Sequence, residues 1–242
     1  MRSFKRNKKG QFVIIAVLLV AIMIVSIGAL LHGAVTYYKH EPWEEYSTLI
    51  RDVELNSRQL LELSLVNYTQ TGNQNVLNES LNKWQQDLLR IYPGVGINLE
   101  FTLANGPTNV EGNNLNFEQG LVRQWNQTVS SSAAKANFSL SISSMGIAGY
   151  EFTAEVFLKL NIVEYEASTS RVTLIVTSEN GVQVSNLNSG SFKVNNSPVS
   201  NVSSSYDKVL GALKYGAGYQ GPSPPLVEVW DQRGIHIIGY RP

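Results

Sequence analysis

The chain of 242 residues has no cysteine. That excludes a disulfide framework and any thiolate metal site, so packing alone must hold its folded parts. Histidine is almost as scarce. His32, His40 and His236 are the three present, too scattered for metal-site spacing. Formal net charge is zero, without the basic excess that marks a nucleic-acid footprint, so no nucleic-acid partner is expected. Catalytic constellations are lacking too. Gly216-Ala217-Gly218-Tyr219-Gln220-Gly221 spells G-x-G-x-x-G but runs into Pro222, Pro224 and Pro225 instead of a helix, which leaves no helix N-terminus for a phosphate. Ser205-Tyr206-Asp207-Lys208 spells S-x-x-K without its companion motifs. The adjacent acids Glu44 and Glu45 belong to an ordinary solvated helix face. No cofactor, metal or enzymatic activity is expected.

One long apolar run is present. Phe12 to Leu31 is twenty residues with no charge, no proline and a single hydroxyl, Ser26. As an α-helix it spans roughly 30 Å, the hydrocarbon thickness of a bilayer, and it predicts a transmembrane helix over 11–39 with membrane lipid as a partner. Arg2, Lys5, Arg6, Lys8 and Lys9 precede it with no acid among them. The positive-inside rule then makes 1–10 a cytoplasmic leader and everything beyond the span extracellular, giving a single-pass membrane protein. Tyr37, Tyr38 and Trp43 would form the outer aromatic belt. The predicted exterior keeps 14 of the 19 basic residues and all 19 acids, a net −5. It also holds six N-x-S/T sequons, at Asn67, Asn78, Asn126, Asn137, Asn195 and Asn201, candidate glycosylation sites.

Beyond the span the period is helical and then changes. Residues 40–92 read as an extracytoplasmic helical segment in two runs. The first carries a stripe of Tyr46, Ile50, Val53 and Leu60, interrupted by Ser57 and Ser64. The second, Val76 to Ile91, repeats leucines at three and four and is stopped by Pro93-Gly94. Residues 94–242 read as a β-rich head. Ile97, Leu99, Phe101 and Leu103 alternate with polar residues, as do Phe138, Leu140 and Ile142. The Gly/Asn-rich stretch Asn105 to Asn116 reads as an exposed loop. The longest alternation, Tyr150 to Ile162, predicts burial of Phe152, Val156, Leu158 and Leu160. Asn180-Gly181 predicts a hairpin turn. The fold class is therefore α+β: an N-terminal transmembrane helix and helical stalk, then an antiparallel β-sandwich head. The stretch from Val172 to Val199 loosely resembles segments of immunoglobulin-like surface repeats, a likeness of fold and not of activity.

The junction Lys8-Lys9-Gly10-Gln11-Phe12 carries a second resemblance, covering about the first 30 residues. A short basic leader, Lys-Gly and an immediate apolar helix resemble the class III signal of archaeal type IV pilins and archaellins. The resemblance implies a prepilin peptidase cut between Gly10 and Gln11, a helix that becomes a filament core, and partners that are further copies or other pilin-like subunits. Bacterial relatives carry Glu at the fifth mature position, which here is Ile15, so the likeness is to the archaeal branch. The implied function is a structural subunit of a cell-surface filament. The alternative is a monomeric membrane-anchored adhesin or ligand-binding module, differing in sequence only in what happens at Gly10-Gln11.

Overall fold

The computed structural model describes residues 8–39, 43–199, 201–219 and 225–242, with side chains described from 16 to 32 and from 46 onward within those ranges. The chain divides after Ile50 into two units. The first holds helix α1, Lys8–Lys39, and the opening turns of α2, Trp43–Thr71. Every described side chain of α1, from Ala16 to His32, is exposed. The expected transmembrane span is corrected here: among the described residues no helix is long and apolar enough to cross a membrane. Single-pass anchoring, the cytoplasmic leader and the extracellular head were all inferred from that span and lose their support with it. Among the described residues the fold is sheet-dominated, with three α-helices, none long and apolar enough to span a membrane.

The second unit, Arg51–Pro242, is built on a seven-stranded antiparallel sheet. Its strands are β1 (Ile97–Leu103), β4 (Leu121–Gln124), β5 (Val129–Ile142), β6 (Ile147–Glu166), β7 (Arg171–Ser178), β10 (Val202–Asp207) and β11 (Ala212–Gly218). They run in the order β1-β5-β6-β7-β11-β10, with β4 also paired to β5. A four-stranded sheet adds β8 (Phe192–Val194), β9 (Ser197–Pro198), β12 (Leu226–Trp230) and β13 (His236–Tyr240), ordered β13-β12-β8-β9.

The alternation read from Tyr150 to Ile162 places its apolar set on one face of β6. Val156, Leu158, Leu160 and Ile162 are buried there, whereas Phe152 is half-buried and stacks on Phe138 at 4.9 Å. That face is covered by two different layers. α2 buries Val53, Ser57, Leu61, Ser64, Leu65 and Tyr68, and α3 (Val76–Ile91) buries Leu77, Leu81 and Leu88. Gln85 of α3 donates to the Leu99 carbonyl of β1 at 2.6 Å. The helices thus form a layer of the head and not a stalk, and the two serines that interrupt the apolar stripe lie inside it. Toward β7 and β11 the cover is the four-stranded sheet. Gly239 of β13 sits where a Cβ would come within 2.8 Å of Leu160 Cδ2. The sandwich is therefore partial, with the rest of the face closed by helices.

The opposite face has its own small core. Asn105 to Asn116 is not an open loop but most of a hairpin, β2 (Gly106–Val110) and β3 (Asn113–Phe117). Val110, Leu115 and Phe117 pack on Val122, Ala133 and Phe157. Short β-strands whose outward residues are asparagine look like loop by composition. Here three apolar residues are enough to lay the hairpin on the sheet. The Asn180-Gly181 pair does form its turn: φ is +59° and +66° at the two residues, the Val182 N–H donates to the Glu179 carbonyl at 3.2 Å, and Thr177 bridges Gln183.

Candidate assembly surface

Consecutive residues of an α-helix are turned by about 100°, so Val17, Leu18, Leu19 and Val20 point to all sides of α1. All four are more than half exposed, and Ile22, Met23, Ile24, Val25, Ile27, Leu30 and Leu31 continue the pattern. A helix that is apolar all round belongs in an interior. Burying these 11 large side chains at about 2 kcal/mol each would yield on the order of 20 kcal/mol, more than the whole stability of a typical domain, about 5–15 kcal/mol. Ser26, Gly28 and Ala29 supply small residues in the middle, and Gly28 has no other atom within 4 Å of where a Cβ would sit. Small residues of this kind let helix backbones approach closely.

Lys8, Lys9, Gly10 and Gln11 form the first turn of α1. Their side chains lie outside the described residues, as do residues 1–7 and His40. The structure separates the six sequons by access. Asn67, Asn126, Asn137 and Asn201 are exposed, and Asn78 and Asn195 are half-buried. Asn195 has φ of +52°, and its Oδ1 accepts the Leu226 N–H at 2.8 Å. Its amide is therefore committed to the fold. Asn137 lies at the centre of an open polar groove of about 620 Å³ on the outer face of β1, β5 and β6, between Thr102 and Thr153.

The letter motifs resolve into structure. Gly216 and Gly218 lie in β11, where the Arg171 guanidinium rests so closely on Gly216 that a Cβ would collide with it. Ser205 lies on β10 opposite Lys214, and Lys208 is in the turn that follows. Gly221 falls outside the described residues. Among the described residues no group of three or more His, Asp or Glu could hold a metal ion.

Two polar clusters went unseen in the sequence because the residues that complete them, Thr69, Trp125, Ser132 and Glu179, lie far from the 228–236 stretch. In the first, His236 is 8% exposed. It stacks flat on Trp230 at 4.3 Å, meets Trp125 edge-on at 5.1 Å, and sets Nε2 3.1 Å from Glu228 Oε2. Its backbone N–H donates to Thr69 Oγ1 of α2 at 3.3 Å, and its carbonyl accepts from Ser132 Oγ of β5 at 2.9 Å. Arg123 lies over Tyr68 and Trp125, and Lys193 over Trp230. Burial holds the imidazole below its usual pKa, with Lys193 adding to the effect and Glu228 opposing it. In the second, Arg233 pairs with Glu179 at 2.6 Å and Asp231 at 2.7 Å. Burial alone would raise the Glu179 pKa, but the Phe157 N–H and Arg233 outweigh it and hold the carboxyl below its usual value. Glu62 nearby is raised, by burial first. Both clusters tie α2, the large sheet and the β12–β13 turn together. With His236 paired to Glu228 and Arg233 to Glu179 and Asp231, they are fastenings of the fold.

No protein-family model, curated protein or solved structure matches the chain.

Proposed function

We propose that the protein is a structural subunit that assembles into a filament by packing α1 against copies of itself. The observation that carries this reading is the exposure of every described side chain of α1 from Ala16 to His32, with large apolar residues on all sides. A partner on one face would cover only a stripe of such a helix, whereas a bundle of identical helices covers it all round. The driving force is exclusion of water together with dispersion between close-packed chains. The Lys8-Lys9-Gly10-Gln11 junction supports the same reading, since its likeness to archaeal pilin signals implies a cut that leaves the helix at the new N-terminus. The saturated polar clusters of the head support a structural role over a catalytic one.

Sedimentation velocity and negative-stain electron microscopy of the purified chain test the reading. Wild type should sediment as large assemblies that appear elongated, and the double variant Val20→Lys with Ile24→Lys should sediment as a monomer with an unchanged head. A wild-type chain that stays monomeric at tens of micromolar would sink the proposal. Intact mass of protein recovered from its native cells should begin at Gln11, and Gly10→Val should abolish that processing.

A further inference from the structure

From Ile147 to Val156, β6 is hydrogen-bonded on one side only. β5 runs along this half, whereas β7 pairs only with Leu158 to Glu166. The position where β7 ends is closed by side chains: the Phe157 N–H donates to Glu179 Oε1 at 2.9 Å, and its carbonyl accepts from Arg233 at 3.4 Å. Main-chain groups alternate in direction along an antiparallel strand. Those of Glu151, Thr153 and Glu155 therefore face the same open side as those of Phe157, and no hydrogen bond to them is made from that side among the described residues. This half of β6 has no proline and no lysine, and Glu151 and Glu155 are the only charged residues that guard the edge.

Beside the edge runs a groove of about 340 Å³ between β6 and α2. Phe152 and Ala154 line it from the strand, and Leu55, 51% exposed, lines it from the helix. Its two carboxylates are engaged: Glu54 accepts from the Tyr150 hydroxyl at 2.7 Å, and Glu155 pairs with Lys135 at 2.9 Å. Its two guanidiniums, Arg51 and Arg58, are exposed and make no hydrogen bond or ion pair among the described residues. Apolar lining, an open backbone edge and two exposed arginines without a direct salt bridge occur in one place, with Glu54 between the arginines along α2 and Glu62 feeling the charge of Arg58.

We propose that this groove docks an extended acidic segment of a partner protein, which adds as a further strand to β6. Strand addition supplies the affinity through the main chain, and pockets for alternate side chains supply the specificity. Arg51 and Arg58 are two helical turns apart, about 10.5 Å along α2. Side chains on one face of a strand recur at about 7 Å, so residues i and i+4 lie about 13 Å apart. Acids at i and i+4 can then meet the two flexible guanidiniums, with an apolar residue at i+2 over Phe152 and Leu55. The segment reads acid-x-apolar-x-acid, with small polar residues at x facing the Glu151 and Thr153 side.

Fluorescence anisotropy of the full chain with a labelled, end-capped Gly-Glu-Thr-Val-Thr-Glu-Gly peptide tests this. Saturable binding is expected, weakened at least tenfold when both Glu are Lys, and equally by Arg51→Glu with Arg58→Glu. The Lys peptide should recover binding to that double variant, whose thermal melt stays at the wild-type value because both positions are exposed. Of two peptides N-methylated at alternate amides, one should lose binding and the other keep it, the signature of a strand bonded along one edge. Absence of saturable binding, equal binding of the Lys peptide to wild type, or retention by both methylated peptides would overturn the proposal. So would loss of self-association by the arginine variant without any peptide binding, because the groove would then belong to a second copy.

Discussion

Two long helices of similar length open this chain and solve opposite problems. In α2 the apolar residues form a stripe, and Val53, Leu61 and Leu65 are at most 1% exposed. In α1 apolar residues point everywhere, and Val17 to Val20 are each more than half exposed. From Arg51 onward α2 buries its stripe within the second unit, and its outer face is free to carry charge. Between Ala16 and His32 α1 has no polar face to give to water, so its stability as a helix depends on what surrounds it. The difference separates residues that hold the head together from residues that, in the proposed assembly, would hold subunits together.

Substituting an acid in each helix should give the largest contrast. Leu61→Asp places an unpaired carboxylate in the head core and should cost several kcal/mol, enough to unfold it in a thermal melt. Val20→Asp should leave that melt unchanged and instead abolish large assemblies in sedimentation. Equal effects of the two on the melt would break the comparison. Truncation should give a smaller contrast of the same sign: Leu65→Ala should cost about 2–5 kcal/mol by chemical denaturation, against less than about 0.5 kcal/mol for Leu19→Ala.

Acidification should act on the α2 side through His236. Its folded pKa lies below the usual value, chiefly from burial, so the unfolded chain binds the proton more readily. The stability this contributes is fully present above about pH 6.5 and is lost as pH falls from there through the folded pKa. Melting temperature followed downward from pH 7 should show this loss, and His236→Gln should remove that component of the slope. The smallest effect has the opposite sign. Ser57 and Ser64 are buried with hydroxyls that have no hydrogen-bond partner among the described residues, so Ser57→Ala should stabilise the head by about 1 kcal/mol. A destabilising result would mean that the hydroxyl is satisfied.

The sequence made some of this legible and concealed the rest for physical reasons. Val76 to Ile91 and the buried side of β6 at Val156, Leu158 and Leu160 could be read, because large apolar residues recur there at the period of their element. The start of β5 could not. Ser130, Ser131, Ser132, Ala133 and Ala134 are all buried, so small residues covered on both faces show no alternation. β10 and β11 were hidden by serine and glycine, since Gly216 serves the Arg171 guanidinium and not a turn. Phe157 is buried on the opposite side of β6 from Leu158 by a hairpin whose composition resembles a loop. The apolar run of α1 was evident, but the membrane span inferred from it is not supported: among the described residues no helix is long and apolar enough to cross a membrane. The β6–α2 groove had no signal at all, because it exists only where β7 happens to stop.

His236 also bears on the order in which the head can be made. Its N–H reaches Thr69, 167 residues earlier, and its carbonyl holds Ser132, 104 residues earlier. Strands β12 and β13 are translated after every other described strand, yet they cover Leu160 and the far half of the large sheet. A ribosome carrying this chain therefore exposes an unfinished apolar sheet until its final strands emerge, and contacts this remote in sequence are slow to close. Until then the nascent head has the same need for cover that α1 keeps after folding is complete.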